Sequence, residues 1–233
     1  MSAAAPLHIG GERLMLDPSG AVFFPSHSML ILADLHLEKG SAAAARGRLL
    51  PPYDSRATLD RIALLIRHYS PKSLLALGDS FHDDGGAERL AAADHARLTA
   101  LARQTRLIWV LGNHDPALPD SLPGEICPEW SEGRFRFRHA AAPGEAGTIE
   151  LSGHYHPRAT VRVRGSAVTR PCFVTNGHDR LILPAFGAYT GGLDVSDRAI
   201  ASLFPRGARI FLLGPTRLYH FQIGRARAGM AAA

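Results

Sequence analysis

The chain has 233 residues, 46% of them hydrophobic, and a formal net charge of +5. That length suits one domain with a full core, read over residues 1–233 with its motifs between about 28 and 215. No apolar run approaches the ~18 residues of a membrane span, and Met1–Leu7 is too short and uncharged for a signal peptide, so the expectation is a cytoplasmic protein with no membrane contact.

Leu7–Phe24 holds Gly10-Gly11 and Asp17-Pro18-Ser19-Gly20 between short apolar stretches, which predicts strands joined by turns. Met29–Ala33 is a continuous apolar run, the pattern of a strand buried on both faces, and it ends at Asp34. After Pro51-Pro52, the spacing of Leu59, Ile62, Ala63 and Ile66 predicts a helix over Asp54–Tyr69, capped by Asp54 or Ser55. Ser73–Leu77 reads as a second buried strand ending at Gly78-Asp79, followed by an Ala-rich helix from about Ala87 to Gln104. Leu107–Leu111 reads as a third, ending at Gly112-Asn113-His114-Asp115. Beyond Arg134 the texture is of strands: Arg134–Arg138, Thr148–Leu151, Val161–Arg164, Arg180–Leu183 and Arg209–Leu213. An α/β first half and a β-rich second half suit two packed sheets with helices outside. The Ala-rich ends, Ser2–Ala5 and Gly229–Ala233, read as frayed.

Polar motifs gather just beyond the strand ends, the usual ligand edge of such sheets. Asp34-Leu35-His36 and His154-Tyr155-His156 are i, i+2 pairs, which in extended backbone point to one face and can chelate. The Asp79 carboxylate has two oxygens and can bridge two cations. The Asn113 amide oxygen can coordinate a metal, His114 can donate a proton near neutral pH, and Asp115 can orient its imidazole. His139 follows the Arg134–Arg138 alternation. Taken singly, each has a plainer reading as a turn, cap or core residue; His82, Asp83 and Asp84 read as a solvated loop that could line the same cleft. Cys127 and Cys172 lie far apart without a Cys-x-x-Cys pattern and read as buried apolar thiols, so neither a disulfide framework nor a thiolate zinc site is indicated.

In order, Asp-x-His, Gly-Asp, Gly-Asn-His-Asp, a strand-end His and Gly-His-x-His, each after a strand, resemble the calcineurin-like metallophosphoesterase superfamily. The resemblance implies that family's four-layer αββα fold of two mixed sheets. It also implies two divalent cations, one held by Asp34, His36, Asp79 and His156, the other by Asp79, Asn113, His139 and His154. Mn²⁺ is favoured by resemblance, and the donor set also accepts Fe or Zn²⁺. The blocks Leu77–His82, Gly153–Pro157, Arg170–Phe173 and Leu183–Gly192 are similar to the bacterial ligase-associated phosphoesterase family, PdeM. That similarity implies a phosphodiesterase or endonuclease in DNA repair, beside an ATP-dependent DNA ligase, a helicase and an exonuclease.

The +5 charge suits a polyanionic partner, yet all but two of the 26 basic residues, Lys39 and Lys72, are arginine, so a compositional bias explains it about as well. Arg134, Arg136, Arg138, Arg162 and Arg164 could form guanidinium rows for phosphates, or only a solvated strand face. The competing functions are a small-molecule phosphodiesterase or phosphatase and a non-catalytic scaffold of a repair complex. A scaffold is expected to lose ligands or the proton donor, and neither is missing.

Overall fold

The computed structural model describes residues 3–163 and 165–224. In both chain and spatial order, the first sheet runs β1 (Ala5–Ile9), β2 (Glu12–Leu16), β3 (Val22–Phe24), β4 (Met29–Leu32), β5 (Ser73–Leu77), β6 (Arg106–Val110) and β7 (Glu125–Cys127). β1 to β4 pair antiparallel through short turns, and β4 to β7 pair parallel. Parallel neighbours need crossovers. These are α1 (Lys39–Ala45) and α2 (Asp54–Tyr69) before β5, then α3 (Gly86–Arg89) and α4 (Ala92–Ala102) before β6.

The second sheet is built from β8 (Trp130–Glu132), β9 (Phe135–Arg138), β10 (Ile149–Ser152), β11 (Arg158–Val163), β12 (Ser166–Thr175), β13 (Arg180–Ile182), β14 (Ala208–Leu213) and β15 (Leu218–Ile223). Its spatial order is β15-β14-β12-β13-β10-β9-β8, with β11 paired to β12 off that path. β9, β10 and β13 run parallel to one another. A four-residue helix, α5 (Arg198–Ala201), lies between β13 and β14.

Strand alternation decides which side chain enters which layer. Ile31, Leu75, Leu77, Ile108 and Val110 of the first sheet meet Phe135, Phe137, Ile149, Leu151 and Phe173 of the second in a shared core. The opposite faces of the same strands, through Leu30, Leu32, Leu74, Leu107 and Trp109, pack on Leu59, Ile62 and Ile66 of α2 and Leu98 and Leu101 of α4. Burial on both faces is why β4 and β5 read as unbroken apolar runs. On the far side, Cys172, Val174, Ile182, Ile210 and Leu212 are covered by Ile200 and Phe204 in and after α5. The result is the α/β architecture of two packed mixed sheets flanked by helices, with the outer layer over the second sheet reduced to one short helix.

Four local expectations change. The single helix expected over Ala87–Gln104 is broken at Leu90 and Ala91, which are extended, with buried Leu90 turned into the helix-side core. Neither Asp54 nor Ser55 caps α2, whose first turn has no side-chain cap. Asp54 Oδ2 instead accepts from the amides of Lys39 and Gly40, and Ser55 Oγ from that of Glu38, so the start of α2 caps the start of α1. At the N-terminal end, the Ala3 amide donates to the Thr216 carbonyl and Ala5 opens β1, so this part of the Ala-rich end is held. Ser2, Arg164 and Gly229–Ala233 lie outside the described residues. Both cysteines are free, Cys172 buried and Cys127 only half-buried. No described helix is long and apolar enough to cross a membrane.

Candidate metal centre

The C-terminal ends of β4, β5, β6, β9 and β10 deliver the polar motifs to one edge of the sandwich. Backbone bonds sew their loops together. The His36 amide donates to Asp79 O at 2.9 Å, Leu37 to Ser80 O at 2.9 Å, and Gly153 to His139 O at 2.9 Å. The His154 amide donates to both carboxylate oxygens of Asp34, at 2.9 and 3.0 Å. Glycine is required where two loops touch: a Cβ on Gly112 would lie 2.2 Å from the Asp79 amide, and one on Gly153 2.5 Å from Asp34 Oδ2.

The i, i+2 pairs are not extended, as the sequence spacing had suggested. Asp34 (φ 53°), His36 (φ 44°) and Glu38 (φ 64°) are left-handed, as are His154 (φ 71°), His156 (φ 46°) and Asp79 (φ 46°). Asp and His tolerate this region better than most residues, yet each such position still costs of order 1–3 kcal/mol and persists only where the surroundings impose it. The strain is concentrated on the side chains that converge.

Two groups form around Asp79. In the first, His36 Nε2 lies 3.2 Å from His156 Nε2 and 3.8 Å from Asp79 Oδ2, while His156 Nε2 lies 3.4 Å from Asp34 Oδ1. In the second, His139 Nε2 lies 3.4 Å from Asp79 Oδ1, 2.8 Å from Asn113 Oδ1 and 3.0 Å from His154 Nδ1. Asp34, His36, Asp79 and His139 are buried.

This arrangement fits cations better than protons. His139 Nδ1 sits 3.1 Å from Leu77 O, a contact that an N–H makes, which turns the lone pair of Nε2 toward the Asp79 carboxylate. Burial first, then the nearby imidazoles of His156 and His114, hold the His36 pKa down to about 2, so that ring stays neutral with its lone pair available. Two aspartate side chains and four imidazoles thus converge with ring nitrogen facing ring nitrogen, and two divalent cations would satisfy them. Carboxylate, imidazole and amide donors without thiolate suit Mn²⁺, Fe or Zn²⁺.

His114 stands at the mouth with 41% of its side chain exposed. Its amide donates to Asp79 Oδ1 at 2.9 Å, and its Nδ1 lies 2.8 Å from His82 O, leaving Nε2 to face the site, 3.9 Å from Asp79 Oδ2. The orienting role expected of Asp115 therefore falls to the His82 carbonyl. Asp115 is fully buried and accepts from the amides of Ser80, Phe81 and Gly112 at 2.7, 3.1 and 3.0 Å, bracing the loops after β5 and β6. Burial raises its pKa to about 6, against the pull of those amides.

The loop read as solvated divides. Asp84 is exposed, Asp83 pairs with Arg89 and Arg46, and the His82 ring stacks on His114 with centroids 5.4 Å apart. His36, His82 and His114 form a third cluster whose nitrogens lie within 4.8 Å of one another. The sequence cues to His82 were its place three residues after Asp79 and at the end of the Leu77–His82 block.

The arginine rows are mostly engaged. Arg134 bonds Gly147 O, Arg136 bonds the carbonyls of Gly133 and Phe135, and Arg138 pairs with Glu129 and Glu150. Arg136 and Arg138 line a cavity of about 520 Å³ with Glu150, Arg180 and Arg206, apart from the candidate ligands. Arg162 is exposed on β11.

The sequence matches the family described as calcineurin-like phosphoesterase over residues 27–160. Among solved structures, the nuclease MPE of Pseudomonas putida is similar at 27% identity, with a TM-score of 0.72, covering 94% of this chain and 100% of the other. No curated protein matches.

Proposed function

The chain belongs to the calcineurin-like phosphoesterase family and is a metal-dependent phosphoester hydrolase, and from that premise we propose that it is a nuclease that cleaves phosphodiester bonds with two divalent cations, Mn²⁺ foremost. One observation carries the dinuclear reading: the two oxygens of Asp79 are divided between the two ligand groups, Oδ2 toward His36 and Oδ1 toward His139. Asp34, His36, Asp79 and His156 would hold one cation; Asp79, Asn113, His139 and His154 the other. Bound there, the cations would supply Lewis-acid polarisation of the phosphate and help water attack phosphorus in line. His114 acts at the opposite side of the reaction. With Nδ1–H fixed on His82 O, its protonated Nε2 gives a proton to the departing oxygen, so the leaving group departs as an alcohol. His82, stacked on His114, keeps that ring in place.

The nucleic-acid substrate is supported by the similarity to the Pseudomonas putida nuclease and by the positive charge of the chain. The repair setting beside an ATP-dependent ligase, a helicase and an exonuclease, and membership of the PdeM family, rest on sequence resemblance alone. The test is metal-stripped protein assayed on DNA and on an aryl phosphodiester, with and without added Mn²⁺. Cleavage of both that returns with Mn²⁺ is the expected result. Aryl ester hydrolysis that DNA neither accompanies nor inhibits would make the enzyme a small-molecule phosphodiesterase.

A further inference from the structure

The two sheets end in four edge strands, and natural edges are guarded because their unpaired N–H and C=O groups can template another chain. β7 and β8 are three residues long and carry Glu125 and Glu132. β1 contains Pro6, which has no N–H to offer. The off-path strand β11 carries exposed Arg162, and its first residue, Arg158, already bonds the backbone of Leu193 and Val195. β15 has none of these guards. Leu218–Ile223 is six residues of regular strand without proline, glycine or a formal charge, in a chain of net charge +5. Among the described residues, it pairs only with β14.

The turn that joins β14 to β15 fixes which backbone groups of β15 are free. Gly214 N donates to Arg217 O at 3.0 Å, so these two form a hydrogen-bonded pair, and such pairs alternate along an antiparallel ladder. In the register from Leu213↔Leu218 to Ala208↔Ile223, the β15 residues bonded to β14 are therefore Tyr219, Phe221 and Ile223. The N–H and C=O groups of Leu218, His220 and Gln222 point outward. The same alternation holds one strand further in, where Cys172 N of β12 turns from β14 to Pro157 O. Side chains divide likewise: Tyr219 (43% exposed), Phe221 (41%) and Ile223 share the face of Ile210 and Leu212, away from the first sheet.

We infer that β15 is a dimer edge, at which two copies of this chain pair antiparallel about a two-fold axis at His220. One register engages all three outward residues: Leu218 opposite Gln222 of the other copy, His220 opposite His220, and Gln222 opposite Leu218. These three pairs, with two bonds each, make about six main-chain hydrogen bonds. Between them, Tyr219 of each copy falls opposite Phe221 of the other in the closely spaced pairs, where cross-strand aromatic contact stabilises a sheet. Charge permits the meeting. Neither strand bears a formal charge, and the flanking Arg217 falls opposite Ile223, which leaves the two Arg217 residues ~20 Å apart, beyond the ~8 Å screening length. Because the contact is isologous and consumes the one unguarded edge, it closes at two copies and does not propagate.

The test is sedimentation velocity from micromolar to several hundred micromolar protein. The parent is compared with Tyr219→Glu, Phe221→Lys, the variant carrying both, and His220→Pro, each checked for an unchanged Tm. The parent is expected to pass from monomer to dimer as concentration rises. Each single charge substitution sets a charge against an aromatic ring and should raise the dimer Kd about tenfold or more. His220→Pro removes an outward N–H that β14 does not use and should act in the same direction. The double variant sets opposite charges against each other at both aromatic pairs, so it should recover most of the lost affinity at low salt. A parent that stays monomeric throughout overturns the inference. A dimer that the single substitutions leave intact, or that the double variant fails to restore, overturns the edge or its register.

Discussion

Two polar clusters are buried in the same sandwich, and in only one of them does a carboxylate sit between guanidinium groups, even though Glu150 Oε1 there is held by charge and not by a hydrogen bond. Around Glu150 the charges close on themselves: Arg180 Nε lies 3.2 Å from Oε1, Arg138 3.4 Å from Oε2, and the Ala142 amide donates to Oε2 at 2.9 Å. Around Asp79, nitrogen faces nitrogen and carboxylate faces lone pair. Backbone tells the same story, because β9, β10 and β13 around Glu150 are regular while the loops around Asp79 run repeatedly into the left-handed region. A buried cluster whose charges pair is structure; one whose donors converge without protons, on strained loops, is a place for something the chain does not itself supply.

The comparison is broken most severely at the metal centre. Asp79→Asn removes charge from both cation groups and is expected to lower kcat by at least the ~10²–10³-fold that loss of one transition-state donor costs, with little change in Tm of the metal-free protein. Activity and thermal melting of the same preparation check this. His114→Ala should lower kcat on DNA by roughly 10²–10⁴-fold, and by much less on an aryl diester, because a phenolate leaves without a proton as an alkoxide does not. Equal losses on the two substrates would remove His114 as proton donor.

Glu150→Gln should give the reverse pattern. It leaves Arg180 facing a neutral amide while Arg138 keeps its pair with Glu129, at a cost of about 1–3 kcal/mol in urea unfolding. Activity per folded molecule should stay within about twofold. Added Mn²⁺ at 100 times its Kd should stabilise the parent by about 2.7 kcal/mol and Asp79→Asn by far less, whereas Glu150→Gln should keep the full increment.

The last effect is absent at neutral pH, appears only under alkaline conditions and is independent of the metal. Burial raises the Cys172 thiol from 9.0 to about 12, so the folded chain holds that proton where the unfolded chain has lost it. Its contribution is complete below pH 9 and is lost as pH rises toward about 12, at about 1.4 kcal/mol per pH unit. Cys172→Ala should flatten that part of the stability profile.

Much of this protein could be read before folding. The unbroken runs of β4, β5 and β6 announced strands covered on both faces, and the polar residues after them announced the ligand edge, because strand period and burial are local properties of a sequence. The helix over Asp54–Tyr69 was legible in its apolar spacing for the same reason. The order of the candidate ligands, from Asp34 to His156, came from resemblance to a family, not from any single motif, and what the structure adds is that these residues converge. What tertiary structure decided were the partners across the chain: that Asp54 caps α1 and not its own helix, that Asp115 braces backbone while a carbonyl of His82 holds His114, and that Asp34, His36, Asp79, His154 and His156 adopt left-handed backbone. Each depends on a contact between segments 14 to 120 residues apart, and such contacts leave no trace in local propensity, since the residue that accepts a bond carries no mark of the distant group that donates it.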